Sequence, residues 1–255
     1  MIVGMDGAPE VIVLEDPAAL AEAAAQAIVE VATEAANAHG RFTVALAGGL
    51  TPRVTYERLA QPPLRERMPW QHTWAFFGDE RGVPPDHPDS NYRMANEALL
   101  SKVPIPPAQI ARIRGEAEDP EAAAADYARH LSEVFACKRG DLPRFDLILL
   151  GMGVDGHTGS LFPGSPVLKE VFRPVAAVHA GAASIPQRFT FTFPVINAAA
   201  HVMFLVAGAE KAKMLKAVLA EPSSVLPAAM VRPTNGRLVW LLDRAAAALL
   251  GARTR

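Results

Sequence analysis

FDLILLGMGVDGHTG, residues 145–159, joins an apolar run, broken only by Asp146, to a loop with four glycines, one acid and one histidine. The run is too short for a helix and reads as a strand buried on both faces, as in a parallel sheet. The same grammar recurs along the chain. FTVALA (42–47) precedes Gly48-Gly49, TWAFF (73–77) precedes Gly78-Asp79-Glu80-Arg81, and VMFLVA (202–207) precedes Gly208. LVWLL (238–242) leads into an Ala-rich closing helix, and RFTFTF (188–193) alternates as a strand with one polar face should. Helical stretches separate these runs. Asp16-Pro17 opens one that ends at His39-Gly40, Thr51-Pro52 starts another, Asp119-Pro120 caps a third over 119–136, and a fourth carries Lys211, Lys213 and Lys216. The N-terminal MIVGMDGAPEVIVLED reads as a short strand, not a signal peptide. Pro-rich stretches at 83–88 and 103–107 are loops. Strands alternating with helices predict one α/β domain over residues 1–255, an open, mostly parallel sheet with helices on both faces.

Composition excludes several function classes. A net charge of −2 and a pI near 6.4 supply no basic field for nucleic acid or an anionic membrane. No apolar stretch approaches the roughly 20 residues of a membrane span. Cys137, the only cysteine, allows no internal disulfide and no cysteine-based zinc site, and it reads as a packed thiol at a helix end. No HExxH pair is present, so no metal and no cofactor is expected. The expected setting is the cytoplasm, and the expected state is a monomer or at most a weak dimer.

In open α/β sheets ligands bind beyond the carboxyl ends of the strands. GGLTP (48–52), GDER (78–81), GMGVDGHTG (151–159) and GAEK (208–211) each follow an apolar run, so parallel strands bring all four to one edge. Gly48 and Gly49 before a helix start suit close approach of an anion to free N–H groups, although a tight turn explains them equally well. Neither a dinucleotide fingerprint nor a Walker loop is present. His157, in a glycine-rich loop with Asp155 two residues away, suits a neutral imidazole that takes a proton from water. Asp79, Glu80 and Arg81 read either as a self-satisfied polar turn or as an anion clamp with acids for sugar hydroxyls. Arg188 and Lys211 are candidate anion ligands, or simply solvated cations. With no G-x-S-x-G elbow, direct attack by a histidine-activated water is favoured over an acyl-enzyme.

LAGGLTPRVTYERLA (46–60), FFGDERGVPPDHPDSNYRMANEALL (76–100), DLILLGMGVDGHTGSLFPGSP (146–166), RFTFTFPVINAA (188–199), FLVAGAEKAKML (204–215) and LVWLLDRAAA (238–247) together resemble the 6-phosphogluconolactonase family. The resemblance implies the fold of glucosamine-6-phosphate deaminases and hydrolysis of a small sugar-phosphate lactone, the second step of the oxidative pentose phosphate pathway. It implies His157 as general base with Asp155 beside it, and Gly48, Gly49 and Thr51 as the phosphate loop. Arg81, Arg188 and Lys211 fall near phosphate or sugar, and Asp79 matches an acid that deaminases use for proton transfer. Leu50 stands where lactonases often have Ser or Thr. The alternatives are a deaminase-like isomerase using Asp79 and a non-catalytic sugar-phosphate sensor. Arg188 begins its strand, so it reaches the common edge only if that strand runs antiparallel or the chain bends.

Overall fold

The computed structural model describes residues 9–181, 183–221 and 224–251. In chain order the elements are β1 (Glu10–Leu14), α1 (Pro17–His39), β2 (Phe42–Leu46), α2 (Leu50–Leu59), α3 (Leu64–Arg67), β3 (Thr73–Phe77), β4 (Asp79–Arg81), α4 (Asn91–Ala98), α5 (Pro120–Val134) and β5 (Leu147–Leu150). They continue with β6 (Val175–His179), β7 (Gln187–Phe191), α6 (Phe193–Ala198), β8 (His201–Val206), α7 (Ala212–Ala220), α8 (Pro227–Met230), β9 (Arg237–Asp243) and α9 (Arg244–Ala247). The expected N-terminal strand is β1. Residues 1–8 of that stretch lie outside the described residues.

Six strands form one sheet in the order β1-β9-β8-β5-β2-β3, and every pairing in it is parallel. Every residue of β2 and β5 is buried, so both faces at the centre of this sheet are covered. The helices form where the caps predict. Asp16 accepts the Ala19 N–H at 2.8 Å ahead of α1, Gly40 ends that helix at φ +80°, and Asp119 accepts the Ala122 N–H at 3.0 Å ahead of α5. No helix among the described residues is long and apolar enough to cross a membrane.

Three elements differ from expectation. Asp79–Arg81 is a strand rather than a polar turn, and β4-β7-β6 form a second, antiparallel sheet. Gly78 is where the chain passes between the sheets, its N–H donating to Leu46 and its carbonyl accepting from Phe191. The closing helix α9 is a single turn, and Lys211 ends a 3₁₀ turn (Ala209–Lys211) ahead of α7.

An aromatic cluster ties the two sheets together. Phe145, at the entry to β5, packs on Phe76 of β3 and Phe191 of β7 with centroids 5.3 and 5.2 Å apart. Tyr127 of α5 stacks on Phe191, and its hydroxyl accepts from Phe77 N–H at 2.9 Å. Such contacts contribute about 0.5–1.5 kcal/mol each beyond area burial, and here they fix β4 and β7 against the large sheet.

Candidate active site

The direction of the chain reverses between β2 and β5. The connection after β2 runs toward β3, and the one after β5 runs away toward β8. A crevice opens at such a switch point, outside the carboxyl ends of the strands. A cavity of about 640 Å³ occupies it. Its walls are residues 48–52, Asp79 and Arg81, the 151–154 turn with His157 and Gly159, and residues 205–208 with Glu210 and Lys211. All four polar segments expected at one edge therefore meet there. Asp155 and Arg188 do not line it; each neighbours a lining residue, Asp155 beside His157 and Arg188 across from Arg81.

The 151–159 loop is built to present one histidine. Gly153 N–H donates to the His157 carbonyl at 2.8 Å, Gly156 N–H to the Gly153 carbonyl at 3.1 Å, and Thr158 Oγ1 to the Gly151 carbonyl at 2.8 Å. His157 Nδ1 lies 2.5 Å from Asp155 Oδ1, which also accepts the His157 backbone N–H at 3.2 Å. With Nδ1 as the donor to this carboxylate, Nε2 is the acceptor. Phe162 packs against the imidazole with centroids 4.7 Å apart. A Cβ on Gly153 would fall 2.1 Å from His157 Nδ1 and 2.6 Å from Asp155 Oδ1, so only glycine leaves room for this pair. Burial raises the Asp155 carboxyl, but the hydrogen bonds and charge of His157 outweigh it and hold the group below the ordinary carboxylate range.

The opposite wall begins at α2. Gly49, its N-cap, sits at φ +102° and offers no side-chain cap, so the first-turn N–H groups lack an intrahelical acceptor beside the cavity. Tyr56 fixes this turn: its hydroxyl donates to the Ala47 carbonyl and accepts the Ala47 N–H, both at 2.9 Å. Leu50, which lines the cavity, is 75 % exposed. Lys211 enters from the β8 end and forms no ion pair among the described residues. Glu210 shares that wall, so the positive field at this end is partly opposed.

In β4 the period of two separates roles. Asp79 and Arg81 line the cavity, and Glu80 turns to the other face. There the Glu80 carboxylate accepts from the N–H groups of Asn91 (2.7 Å), Tyr92 (2.8 Å) and Arg81 (2.8 Å) and from Ser90 Oγ (3.1 Å). Burial pushes its carboxyl up, and the Arg81, Tyr92 and Asn91 N–H groups act against that. The self-satisfied ion cluster weighed from sequence is not what forms: among the described residues neither Asp79, Glu80 nor Arg81 makes an ion pair.

Arg188 stands directly across from Arg81 in the antiparallel β4–β7 pair, which puts both side chains on one face. The antiparallel direction is what lets the first part of β7 reach the site. Arg188 Nε donates to the Ile185 carbonyl at 2.7 Å, and burial, then the neighbouring Arg81, depresses the guanidinium. Arg81 Nη1 donates to the Asp89 carbonyl at 2.6 Å, and its buried Nε has no partner among the described residues. Two adjacent guanidiniums without a paired carboxylate suit an anion.

Sequence reasoning missed Asn91 and Ser160, which hold the Asp79 carboxylate. Asn91 Nδ2 lies 3.1 Å from Oδ1, and Ser160 Oγ lies 2.9 Å from Oδ2. The available signal was their place inside the two most distinctive stretches, DSNYRMA and DGHTGSLFP. Cys137 follows α5, half-buried, and burial, then Asp141, pushes its thiol up, which suits a packed residue rather than a nucleophile.

The sequence profile of glucosamine-6-phosphate isomerases/6-phosphogluconolactonase matches residues 15–240. The chain belongs to this family. A 6-phosphogluconolactonase of Synechocystis is 44 % identical over 94 % of this chain and 97 % of its own length. A solved 6-phosphogluconolactonase from Trypanosoma cruzi superposes with a TM-score of 0.86 at 31 % identity, covering 97 % of this chain and 99 % of that one. A monomeric glucosamine-6-phosphate deaminase shares the fold at a TM-score of 0.78 and 24 % identity, covering 94 % of this chain and 99 % of that one.

Proposed function

We propose that this chain hydrolyses 6-phosphoglucono-1,5-lactone to 6-phosphogluconate with His157 as general base. The observation that carries the reading is the His157–Asp155 pair at 2.5 Å on the wall of a cavity whose other walls hold Lys211, Arg81 and the open end of α2. The α2 N-terminus (Gly48, Gly49, Thr51) and Lys211 hold the phosphate and place the ring. His157 Nε2 takes a proton from water as the water oxygen bonds to C1. Negative charge develops on the carbonyl oxygen.

The N–H groups of Gly153, Gly156, His157 and Thr158 are already used within the protein. We assign the oxyanion to Arg81, whose buried Nε has no partner among the described residues, backed by Arg188. The C1–ring oxygen bond then breaks, and the imidazolium returns its proton to the departing ring oxygen. The resulting C1 carboxylic acid ionises to the product. Asp155 fixes the imidazole tautomer, and Asp79 accepts a sugar hydroxyl. No step needs a metal or cofactor. We further propose that it acts as a monomer in the cytoplasm, with residues 1–255 as one domain.

The discriminating experiment offers the purified protein fresh 6-phosphogluconolactone and, separately, glucosamine 6-phosphate. Lactone opening above the spontaneous rate without ammonia release supports the reading. Ammonia release from the amino sugar would replace it with the deaminase reaction, and binding of 6-phosphogluconate without turnover would replace it with a sensor.

A further inference from the structure

Asn91 is 1 % exposed, yet only one end of its amide is used. Nδ2 donates to the Asp79 carbonyl at 2.9 Å and to Asp79 Oδ1 at 3.1 Å. Two acceptors at that end identify it as the amine. Oδ1 is buried and has no hydrogen-bond partner among the described residues. It lies against Gly48, where a Cβ would sit 1.9 Å from it. Gly48 does not have a positive φ, so the turn does not demand glycine there. The space its side chain would fill is occupied by Asn91. The Asn91 backbone is itself anchored, its N–H donating to Glu80 at 2.7 Å.

We propose that Asn91 is a positioning residue that locks the Asp79 carboxylate and the Gly48–Gly49 turn into one unit, fixing the buried acid relative to the anion-binding end of the cavity. This rests on the lactone-hydrolase reading. A residue needed only to fill space could be apolar. The contacts here need an amide, which donates to Asp79 and sets an uncharged oxygen against Gly48. Aspartate at 91 is nearly the same shape but faces a second carboxylate, and the pair is then stable only when it shares a proton. The other titratable and charged groups around Asp79 are Glu80, Tyr56, Arg81 and Arg188, with His157 lining the same cavity. They are common to both enzymes, so only those whose surroundings the new carboxylate changes contribute to the ratio of variant to wild type.

The test compares wild type, Asn91→Asp and Asn91→Ala, each checked for folding by circular dichroism, in kcat and KM from pH 5 to 8. For Asn91→Asp the ratio of kcat/KM to wild type should fall about tenfold or more as pH rises, one unit of carboxyl shift being a factor of ten. A ratio constant across that range overturns the proposal. A cycle with Gly48→Ala decides it independently should Asn91→Asp not fold. Gly48→Ala should cost more in the Asn91 background than in Asn91→Ala, and equal costs would overturn the proposal. If wild type itself fails to open the lactone, the functional reading is what has failed. The same cycle, read on 6-phosphogluconate affinity, then still decides the Gly48–Asn91 coupling.

Discussion

In the proposed mechanism His157 acts through its surroundings: Asp155 on one nitrogen, Phe162 across the ring, and the missing side chain of Gly153 beside both. Replacing Asp155 by Asn keeps the size but can present an N–H where Nδ1 needs an acceptor, which favours the wrong tautomer. Asp155→Asn should lower kcat by about 10²–10⁴-fold, the worth of a general base, with a much smaller change in KM, measured in steady state. The pH profile follows from the depressed Asp155 carboxyl. Its charge is present above the ordinary carboxylate value and is lost only as pH falls through the lower folded value. Between pH 5 and 8 it therefore stays ionised, and Asp155 should add no limb of its own to log kcat/KM across that range. This pair was legible in the sequence because both members lie in one loop, three residues long from acid to base. Asn91 was not, because its partners Asp79 and Gly48 lie 12 and 43 positions away in the chain, and only the fold brings them together.

At the level of elements, β4 carries more of the site than its length suggests. One face gives Asp79 and Arg81 to the cavity, and the other gives Glu80 to the N-terminus of α4. Glu80→Ala would leave three backbone N–H groups and one hydroxyl without their acceptor in a buried place. It should destabilise the protein by about 4 kcal/mol or more, at roughly 1–3 kcal/mol for each of the four unsatisfied groups, measured by urea unfolding. The long strands and capped helices were readable from periodicity and cap residues. The second sheet was not. DER is too short to show a period, its charges resemble a turn, and its partner β7 lies more than a hundred residues downstream. The direction of β7, on which the place of Arg188 depends, is set by that non-local pairing.

For the whole molecule, the parallel order β1-β9-β8-β5-β2-β3 sets the cavity at the β2/β5 switch, and its proposed phosphate end is assembled from α2 and the turn before α7. Ligand that binds only the folded state stabilises it by about 2.7 kcal/mol at 100 times Kd. 6-Phosphogluconate should therefore raise Tm by roughly 5–10 °C at that saturation, at about 2–4 °C per kcal/mol for a chain near this size. Lys211→Ala should remove most of the shift at the same ligand concentration. An unchanged shift in scanning fluorimetry would take Lys211 out of phosphate binding.

The central claim is that His157 activates water against the lactone. Its most direct test is the rate of proton release from freshly generated 6-phosphogluconolactone, in wild type and His157→Ala, with the spontaneous rate subtracted. Wild type should accelerate opening. His157→Ala should lose about 10²–10⁴-fold in kcat while KM stays nearly unchanged. A His157→Ala enzyme that keeps wild-type kcat, or loses only in KM, would contradict the account.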